Sequence, residues 1–373
     1  MKMVIDLLWL RSGKVGGTEF YIRNLLDGFK ELEEDFTIIL LLARDNAESF
    51  AHYFMDVRFK PLVARLNNFN IAKRIIWQNL FQNGLLRRNN LTNCFVPVYC
   101  RPVFNGGIKY INTIHDIQAY HYPEYHPFHE VAFSKLCWSI DARKSKKIIA
   151  TTNYVKQDLI DKYHIKTDKI EVANIPAMVD LNEILPFEQI KDKFQIEKGK
   201  YYYTVAQMIP HKNLETLVKV MGEIKKKRID LPNRLLISGI SGNATDSVRR
   251  LMDENKLDKE VILTGFISNS ERNALYQNCK AFLFPSIFEG FGMPPIEAMA
   301  FGATVITTDR TSIPEVTQNK ANYVDDPFSV DAWIDKMKNP HHKNDEFRFE
   351  LYDRKYLAQK YMNLLEQEFK KYT

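Results

Sequence analysis

The sequence predicts an α/β protein built of two doubly wound, Rossmann-like domains facing a central cleft. Three observations carry that prediction. Short, near-continuous apolar runs alternate with helix-patterned segments, as buried parallel strands and their crossover helices do. The alternation occurs twice, over 1–180 and again over 195–345, with a mixed-charge stretch containing Pro176 and Pro186 at the joint. A chain of 373 residues is also longer than one core normally encloses.

The first set of strands runs Met3 to Leu10, Phe36 to Ala43, Cys94 to Val98, Tyr110 to Ile114 and Lys147 to Thr151. A loop from Arg11 to Gly17 follows the first strand, and a helix is expected from Thr18 to about Leu32. Ala72 to Leu86 reads as an amphipathic helix with its apolar side on the first sheet. Its mixture of Lys73, Arg74, Arg87 and Arg88 with Trp77 and Phe81 also suits an anionic membrane surface. The second set runs Tyr202 to Ala206, Leu235 to Ser238, Val261 to Leu263, Ala281 to Phe284 and Thr304 to Thr307. After Asp325-Asp326-Pro327 the chain turns polar and helical, and Phe347 to Tyr372 reads as a closing helix.

Composition bounds the class. An apolar content of 45% and a charged content of 26% are those of a soluble globular protein. The longest apolar runs, such as Ile38 to Ala43, fall far short of a bilayer span, and the start lacks signal-peptide architecture. Cys94, Cys100, Cys137 and Cys279 show neither C-x-x-C pairing nor zinc spacing, which fits a reduced cytoplasm. The net charge of +6 resides wholly in residues 1–175, with 24 Lys+Arg against 18 Asp+Glu. That excess is either a solvated basic face or an attraction to an anionic surface or a phosphate-bearing acceptor. No nucleic-acid-binding motif is present.

The stretch richest in chemistry is Phe282 to Thr307, which reads strand, glycine loop, short helix, strand. Gly290 and Gly292 allow a tight turn and close approach of a ligand to the backbone. Pro294 and Pro295 suit a helix start, placing Glu297 in the first turn beside an anion-binding helix N-terminus. A carboxylate there would repel phosphate and suit ligand hydroxyls instead. Phosphate together with hydroxyl-rich groups suggests a nucleotide sugar. On the residues alone, a glycine-capped βα turn with two solvated glutamates explains the stretch equally well. Gly13-Lys-Val-Gly-Gly17 is not G-x-G-x-x-G, so the dinucleotide fingerprint fails. His115-Asp116 ends a strand, where a histidine satisfied by backbone is the alternative to a functional one. His121, His126 and His129 fit no common zinc pattern, and no metal is expected.

Ser286-Ile-Phe-Glu-Gly-Phe-Gly-Met-Pro-Pro-Ile-Glu297 and its continuation to Thr307 resemble the E-x7-E signature of the family 4 glycosyltransferases, retaining enzymes of GT-B fold. The resemblance implies that Glu289 meets the hydroxyls of the donor sugar and Glu297 the ribose. Gly290, Phe291 and Gly292 then lend backbone to sugar and phosphate. It implies that Lys212 neutralises the donor diphosphate, with Gln207 standing where many members carry arginine. His211 and Arg11 are candidate substitutes for that charge. It further places His115 at the donor sugar, Gly16 and Gly17 at the diphosphate or acceptor, and Gly265-Phe266 at the nucleotide base. The closing helix, 347–373, would return to the first domain. The absence of Asp-x-Asp implies metal-independent transfer with no cofactor beyond the sugar donor.

The implied partners are GDP-mannose or dTDP-rhamnose as donor, and a lipid-linked saccharide as acceptor. The implied setting is bacterial capsule or O-antigen synthesis at the cytoplasmic face of the membrane. A nucleotide-sugar epimerase on the same architecture, or a catalytically silent sugar-nucleotide-binding partner, are the competing readings.

Overall fold

The computed structural model describes residues 1–13, 16–177, 179–341 and 346–370. Lys14 and Val15 of the first glycine loop, and the 371–372 end of the expected closing helix, lie outside the described residues. The chain divides into two compact units, Met1–Ala177 with Glu350–Thr373, and Met178–Phe349.

The first unit is a parallel sheet of β1 Lys2–Asp6, β2 Thr37–Leu42, β3 Phe59–Val63, β4 Asn93–Val96, β5 Lys109–Ile114, β6 Lys147–Ala150 and β7 Ile170–Val172, ordered β3-β2-β1-β4-β5-β6-β7. Two of these strands lie outside the sequence reading. β3 and β7 are the edges of the sheet, and β3 carries Pro61 and is mostly exposed, so neither shows a long apolar run. β1 also stops at Asp6 rather than Leu10. The Asp6 carboxylate accepts the Leu8 N–H at 3.0 Å, and Leu10 N–H bonds back to Leu7, which turns the chain.

Helix α1, Gly17–Lys30, buries Tyr21, Ile22, Leu25, Leu26 and Phe29. The expected helix over Ala72–Leu86 is observed as Ile71–Trp77, a π turn over Gln78–Gln82, and Asn83–Arg88, but polar residues share its inner face and several apolar ones lie outside. Arg74, Gln78, Gln82 and Leu86 point inward, whereas Ile71, Ile76, Leu80 and Phe81 are exposed. The cause is the buried Asp6. Gln82 Nε2 donates to its carboxylate at 2.7 Å and Arg74 donates to the Trp9 carbonyl at 3.2 Å, so polar residues must line the inner side.

Helix α2, Phe128–Lys144, covers the β5–β6 side, with Trp138 in the core cluster around Ile114, Ile148 and Leu159. The chain's last helix, Arg354–Lys370, belongs to the same unit and packs on α1. Gly28 lets the two backbones meet, since a Cβ there would stand 2.4 Å from the Arg354 carbonyl oxygen. Tyr361 is buried there, its hydroxyl donating to Ala173 O at 3.1 Å. Leu357, Leu365 and Phe369 are buried beside it, each contributing roughly 1.5–3 kcal/mol of apolar burial.

The second unit begins before residue 195. The boundary falls at the start of the stretch read as a joint, and the later part of that stretch is core: the helix Phe187–Phe194 buries Ile190 and Phe194 against Tyr201, Tyr203 and Leu275. β8 Tyr202–Val205, β9 Leu235–Ser238, β10 Val261–Gly265, β11 Ala281–Phe284, β12 Val305–Thr308 and β13 Asn322–Val324 form a parallel sheet ordered β10-β9-β8-β11-β12-β13. β13, an edge strand of three residues, is the one strand absent from the sequence reading. One face of the sheet is covered around Trp333, Leu217 and Met221, the other around Tyr276, Phe301 and Ile313.

Candidate active site

In each sheet the chain reverses its direction of strand addition beside its first strand. In open α/β sheets ligands settle at such switch points, beyond the carboxyl ends of the strands. In the second unit the switch lies between β8 and β11, whose exit loops are 206–213 and 285–292.

Those two loops are tied together by backbone. His211 O accepts from Ile287 N at 2.9 Å and from Ser286 Oγ at 3.2 Å. Asn213, in a left-handed conformation, donates to Pro285 O at 3.3 Å. The β11 loop is fixed again by Thr311 Oγ1, which accepts Glu289 N–H at 3.0 Å. Ser312 Oγ donates to the carbonyls of Glu289 and Phe291 at 2.8 and 2.9 Å. Phe288 and Phe291 anchor it in the core.

On this frame Lys212 Nζ reaches Glu289 Oε1 at 2.5 Å, both side chains mostly covered, with the ammonium 5.9 Å from the Phe284 ring. Lys212, Glu289, Gly290, Phe291 and Gly292 are therefore one constellation. Gly292, at φ 95°, caps helix α3, Met293–Ala300.

Glu297 is the fifth residue of α3 rather than part of its first turn, because the helix opens at Met293. Pro294 and Pro295 occupy the second and third helical positions, so the N-terminus has fewer N–H donors than a free helix start. Glu297 is buried, accepting from the Tyr276 hydroxyl at 3.2 Å, with Arg272 Nε 3.7 Å away. Burial, followed by the charge of Glu297, holds the Tyr276 hydroxyl well above its ordinary range, so it acts as a donor. The sequence gives neither Tyr276 nor Arg272 a role of its own. Both stand on the helix Asn269–Asn278 that follows the Gly265-Phe266 turn, in a stretch, Asn269 to Tyr276, that resembles the helix of the family 4 glycosyltransferases at this point.

Gln207 is exposed at the tip of the β8 loop. Gly239 and Gly242 shape that loop and were also missed. A Cβ on Gly239 would stand 2.0 Å from Ala206 O, and one on Gly242 2.3 Å from Met208 O. The signal was a pair of glycines just after the Leu235 to Ser238 run. Gly265 is left-handed at φ 70°, and Phe266 beside it is 82% exposed. His211, a candidate source of positive charge beside Gln207, is a buried member of the β8 loop.

Gly16, Gly17 and His115 lie in the first unit. Gly16, at φ 59°, caps α1, and a Cβ on either glycine would meet open space. The preceding turn receives a carboxylate from the chain itself, since Glu19 accepts Gly13 N–H at 2.7 Å while paired with Arg23 at 2.8 Å. His115 immediately follows β5, with Tyr21 edge-on at 4.9 Å between ring centroids. Its Nε2 donates to the Pro97 carbonyl at 2.9 Å, which makes Nδ1 the acceptor nitrogen. Burial lowers its pKa to about 4 against the smaller opposing pull of that carbonyl, so the ring is neutral at pH 7. His121 bonds Asp158 at 2.7 Å. Among the described residues no three His, Cys, Asp or Glu side chains gather as metal ligands.

The family model described as Glycosyltransferase Family 4 matches residues 15–183, and the one described as Glycosyl transferases group 1 matches 186–355. An O-antigen chain mannosyltransferase of Escherichia coli is 28% identical over 225 residues, covering 60% of this chain but only 58% of that protein. O-antigen chain mannosyltransferase RfbU of Salmonella typhimurium is 29% identical over 282 residues, 76% of this chain and 71% of that protein. Among solved structures, a glycosyltransferase from Rickettsia africae superposes with a TM-score of 0.72 at 19% identity, covering 99% of both chains. Anabaena HepE in complex with UDP and glucose does so with 0.72 at 13% identity, over 98% of this chain and 100% of that one. These likenesses establish the GT-B fold. With the two family models spanning nearly its whole length, the chain belongs to the family 4 glycosyltransferases.

Proposed function

We propose that the protein transfers a hexosyl group from a nucleoside diphosphate sugar to a hydroxyl of a saccharide acceptor, with retention of anomeric configuration. The observation that carries this reading is the Lys212–Glu289 pair, held at 2.5 Å on the exit loops of β8 and β11. In the reaction the bond from the anomeric carbon to the diphosphate oxygen breaks, and a bond to the acceptor oxygen forms. The acceptor's proton passes to the leaving phosphate. Lys212 stabilises the negative charge that grows on that leaving group. Glu289 holds sugar hydroxyls close to the same cation, and Glu297, oriented by Tyr276 and Arg272, holds the ribose. The backbone at Gly290, Phe291 and Gly292 receives sugar and phosphate, and that at Gly265 and Phe266 the base. His115 serves as a neutral hydrogen-bonding group through Nδ1, and Gly16 and Gly17 leave room for the diphosphate or the acceptor.

The mannosyltransferase relatives support GDP-mannose as donor, with dTDP-rhamnose next, and a lipid-linked saccharide of a bacterial surface polysaccharide as acceptor. Incubating the protein with each donor and a polyprenyl-diphosphate saccharide tests the reading. One donor should be consumed only when acceptor is present, and the product linkage should keep the donor's anomeric configuration. Conversion of a donor without acceptor would point to an epimerase. Failure to consume any donor despite binding would point to a silent binding protein.

Because Lys212 supplies the positive charge, transfer is expected to persist in excess EDTA. Complete loss rescued by Mn or Mg would contradict this. A peripheral site at an anionic membrane fits the 71–88 helical run, which exposes Ile71, Ile76, Leu80 and Phe81 beside Lys73, Arg87 and Arg88. Among the described residues no helix is long and apolar enough to cross a membrane. Co-flotation with anionic vesicles at low salt is expected, and its absence would sink the membrane assignment.

A further inference from the structure

Sequence spacing gives the four cysteines no pairing, yet two of them meet in the first unit. Cys100, on the loop leaving β4, and Cys137, midway along α2, place their sulfurs 2.7 Å apart, both as free thiols. A disulfide bond is about 2.05 Å, so closure asks for a sulfur movement of under about 1 Å rather than a rearrangement of backbone. The loop and the helix are already packed together. Tyr99 lies 5.5 Å from Trp138 between ring centroids, its hydroxyl is 3.3 Å from Ser134 Oγ, and Cys100 N–H points to Asp141 at 3.4 Å.

Cys100 also holds a left-handed backbone, φ 86°, which a side chain adopts only where its surroundings impose it. Cys94 is buried elsewhere in the sheet and Cys279 belongs to the second unit, so neither competes for the partner. Three residues before Cys100, the Pro97 carbonyl takes the Nε2–H of His115. The same loop therefore carries a thiol pair and the anchor of the imidazole.

We propose that Cys100 and Cys137 form a reversible disulfide that clamps the loop leaving β4, and with it the Pro97 anchor of His115, to α2. The oxidant is a low-molecular-weight disulfide of the glutathione class. The partly exposed Cys100 thiolate attacks one sulfur of the reagent and releases its first thiolate. Cys137, losing its proton, then displaces the second from Cys100. Two S–H bonds and the reagent S–S bond are lost, one protein S–S bond forms, and two reagent thiols leave with the two protons and two electrons. The neighbouring Cys137 sulfur, and then burial, hold the Cys100 thiol well above its ordinary range against the pull of Arg74. Closure is therefore slow near neutral pH and accelerates as pH rises, because the thiolate is the attacking species.

The inference is independent of the donor and acceptor assignments. Its test uses the full chain in glutathione buffers stepped from fully reduced to fully oxidised. Non-reducing peptide mapping should show a Cys100–Cys137 linked peptide short of two hydrogens, with two thiols fewer by titration. The melting temperature of the first unit should rise by about 5 °C through loop closure. Dithiothreitol should reverse all three changes. Cys137→Ser should instead carry glutathione on Cys100 and show no rise, and Cys100→Ser should take up little glutathione at its buried partner. Absence of the linked peptide in fully oxidised glutathione would overturn the proposal. So would links through Cys94 or Cys279 instead, or a bridge that leaves the melting temperature unchanged.

Discussion

The two units wind their sheets in the same order about their first strands, yet their switch points hold opposite chemistry. In the second unit the exits of β8 and β11 present Lys212 against Glu289 on loops fixed by Thr311, Ser312 and the His211 carbonyl. In the first unit the exit of β1 is consumed internally. Asn46 and Asn68 donate to the carbonyls of Leu7, Leu8 and Leu10, and Gln82 and Leu8 satisfy Asp6. Burial raises the Asp6 pKa, so its environment disfavours charge where the second unit displays an ion pair. A shared topology thus offers two equivalent positions, and side chains make them different: one sets an ion pair on its exit loops, the other spends its polar groups on its own backbone.

The largest way to break this contrast is Glu289→Gln. Transfer should fall by about 10²–10³-fold. Affinity for the nucleoside diphosphate should hold or rise, because Lys212 is released from its partner. Calorimetry beside the transfer assay separates the two effects, and a parallel loss of both would contradict the assignment.

Two glycine substitutions come next, one in each unit. Gly28→Ala drives a Cβ into the Arg354 carbonyl at 2.4 Å, and Gly239→Ala drives one into the Ala206 carbonyl at 2.0 Å from a φ of 134°. Each should destabilise its own unit by about 2–3 kcal/mol or more. Only Gly239→Ala should also weaken nucleotide binding, because it displaces the loop that carries Gln207 and Lys212. Equal loss of binding in both variants would remove the distinction between the units.

Glu297→Gln should weaken nucleoside diphosphate binding by about tenfold, and Tyr276→Phe by less, since each removes part of one buried hydrogen bond. Binding unchanged in Glu297→Gln would make that residue purely structural.

The smallest effect is a pH dependence. His115 titrates near pH 4 in the fold against 6.5 unfolded, so between these values the unfolded chain binds the proton first. Its contribution to stability is complete above pH 6.5 and is lost as the pH falls through 4. Asp141, pushed up to about 7 by burial, acts in the opposite sense over the same window. The readout is therefore the difference between wild type and His115→Asn, which should narrow on acidification. The rate profile should show no acid limb from His115 above pH 5.

What could be read from the sequence follows from how each feature is encoded. The Glu289 to Glu297 stretch was legible because its chemistry is contiguous, and the central strands because both their faces are buried. The edge strands β3, β7 and β13 were not, since a half-exposed strand leaves little apolar signal. The setting of Glu297 was hidden because Tyr276 and Arg272 reach it through space from another helix. The polar share of the inner face of the 71–88 helical run was not legible because apolar periodicity assumes an apolar interior, whereas the buried Asp6 takes Gln82 as its partner there. Cys100 and Cys137 were likewise brought together by folding alone.

The central claim is that Lys212 meets the donor's diphosphate at the second unit's switch point. Titration calorimetry of GDP, and of guanosine as its uncharged counterpart, into wild type and Lys212→Ala tests it most directly. The account predicts that the variant loses about 10–100-fold in affinity for GDP while guanosine binding is unchanged. Equal GDP affinity in the two proteins, with the variant folded, would contradict it.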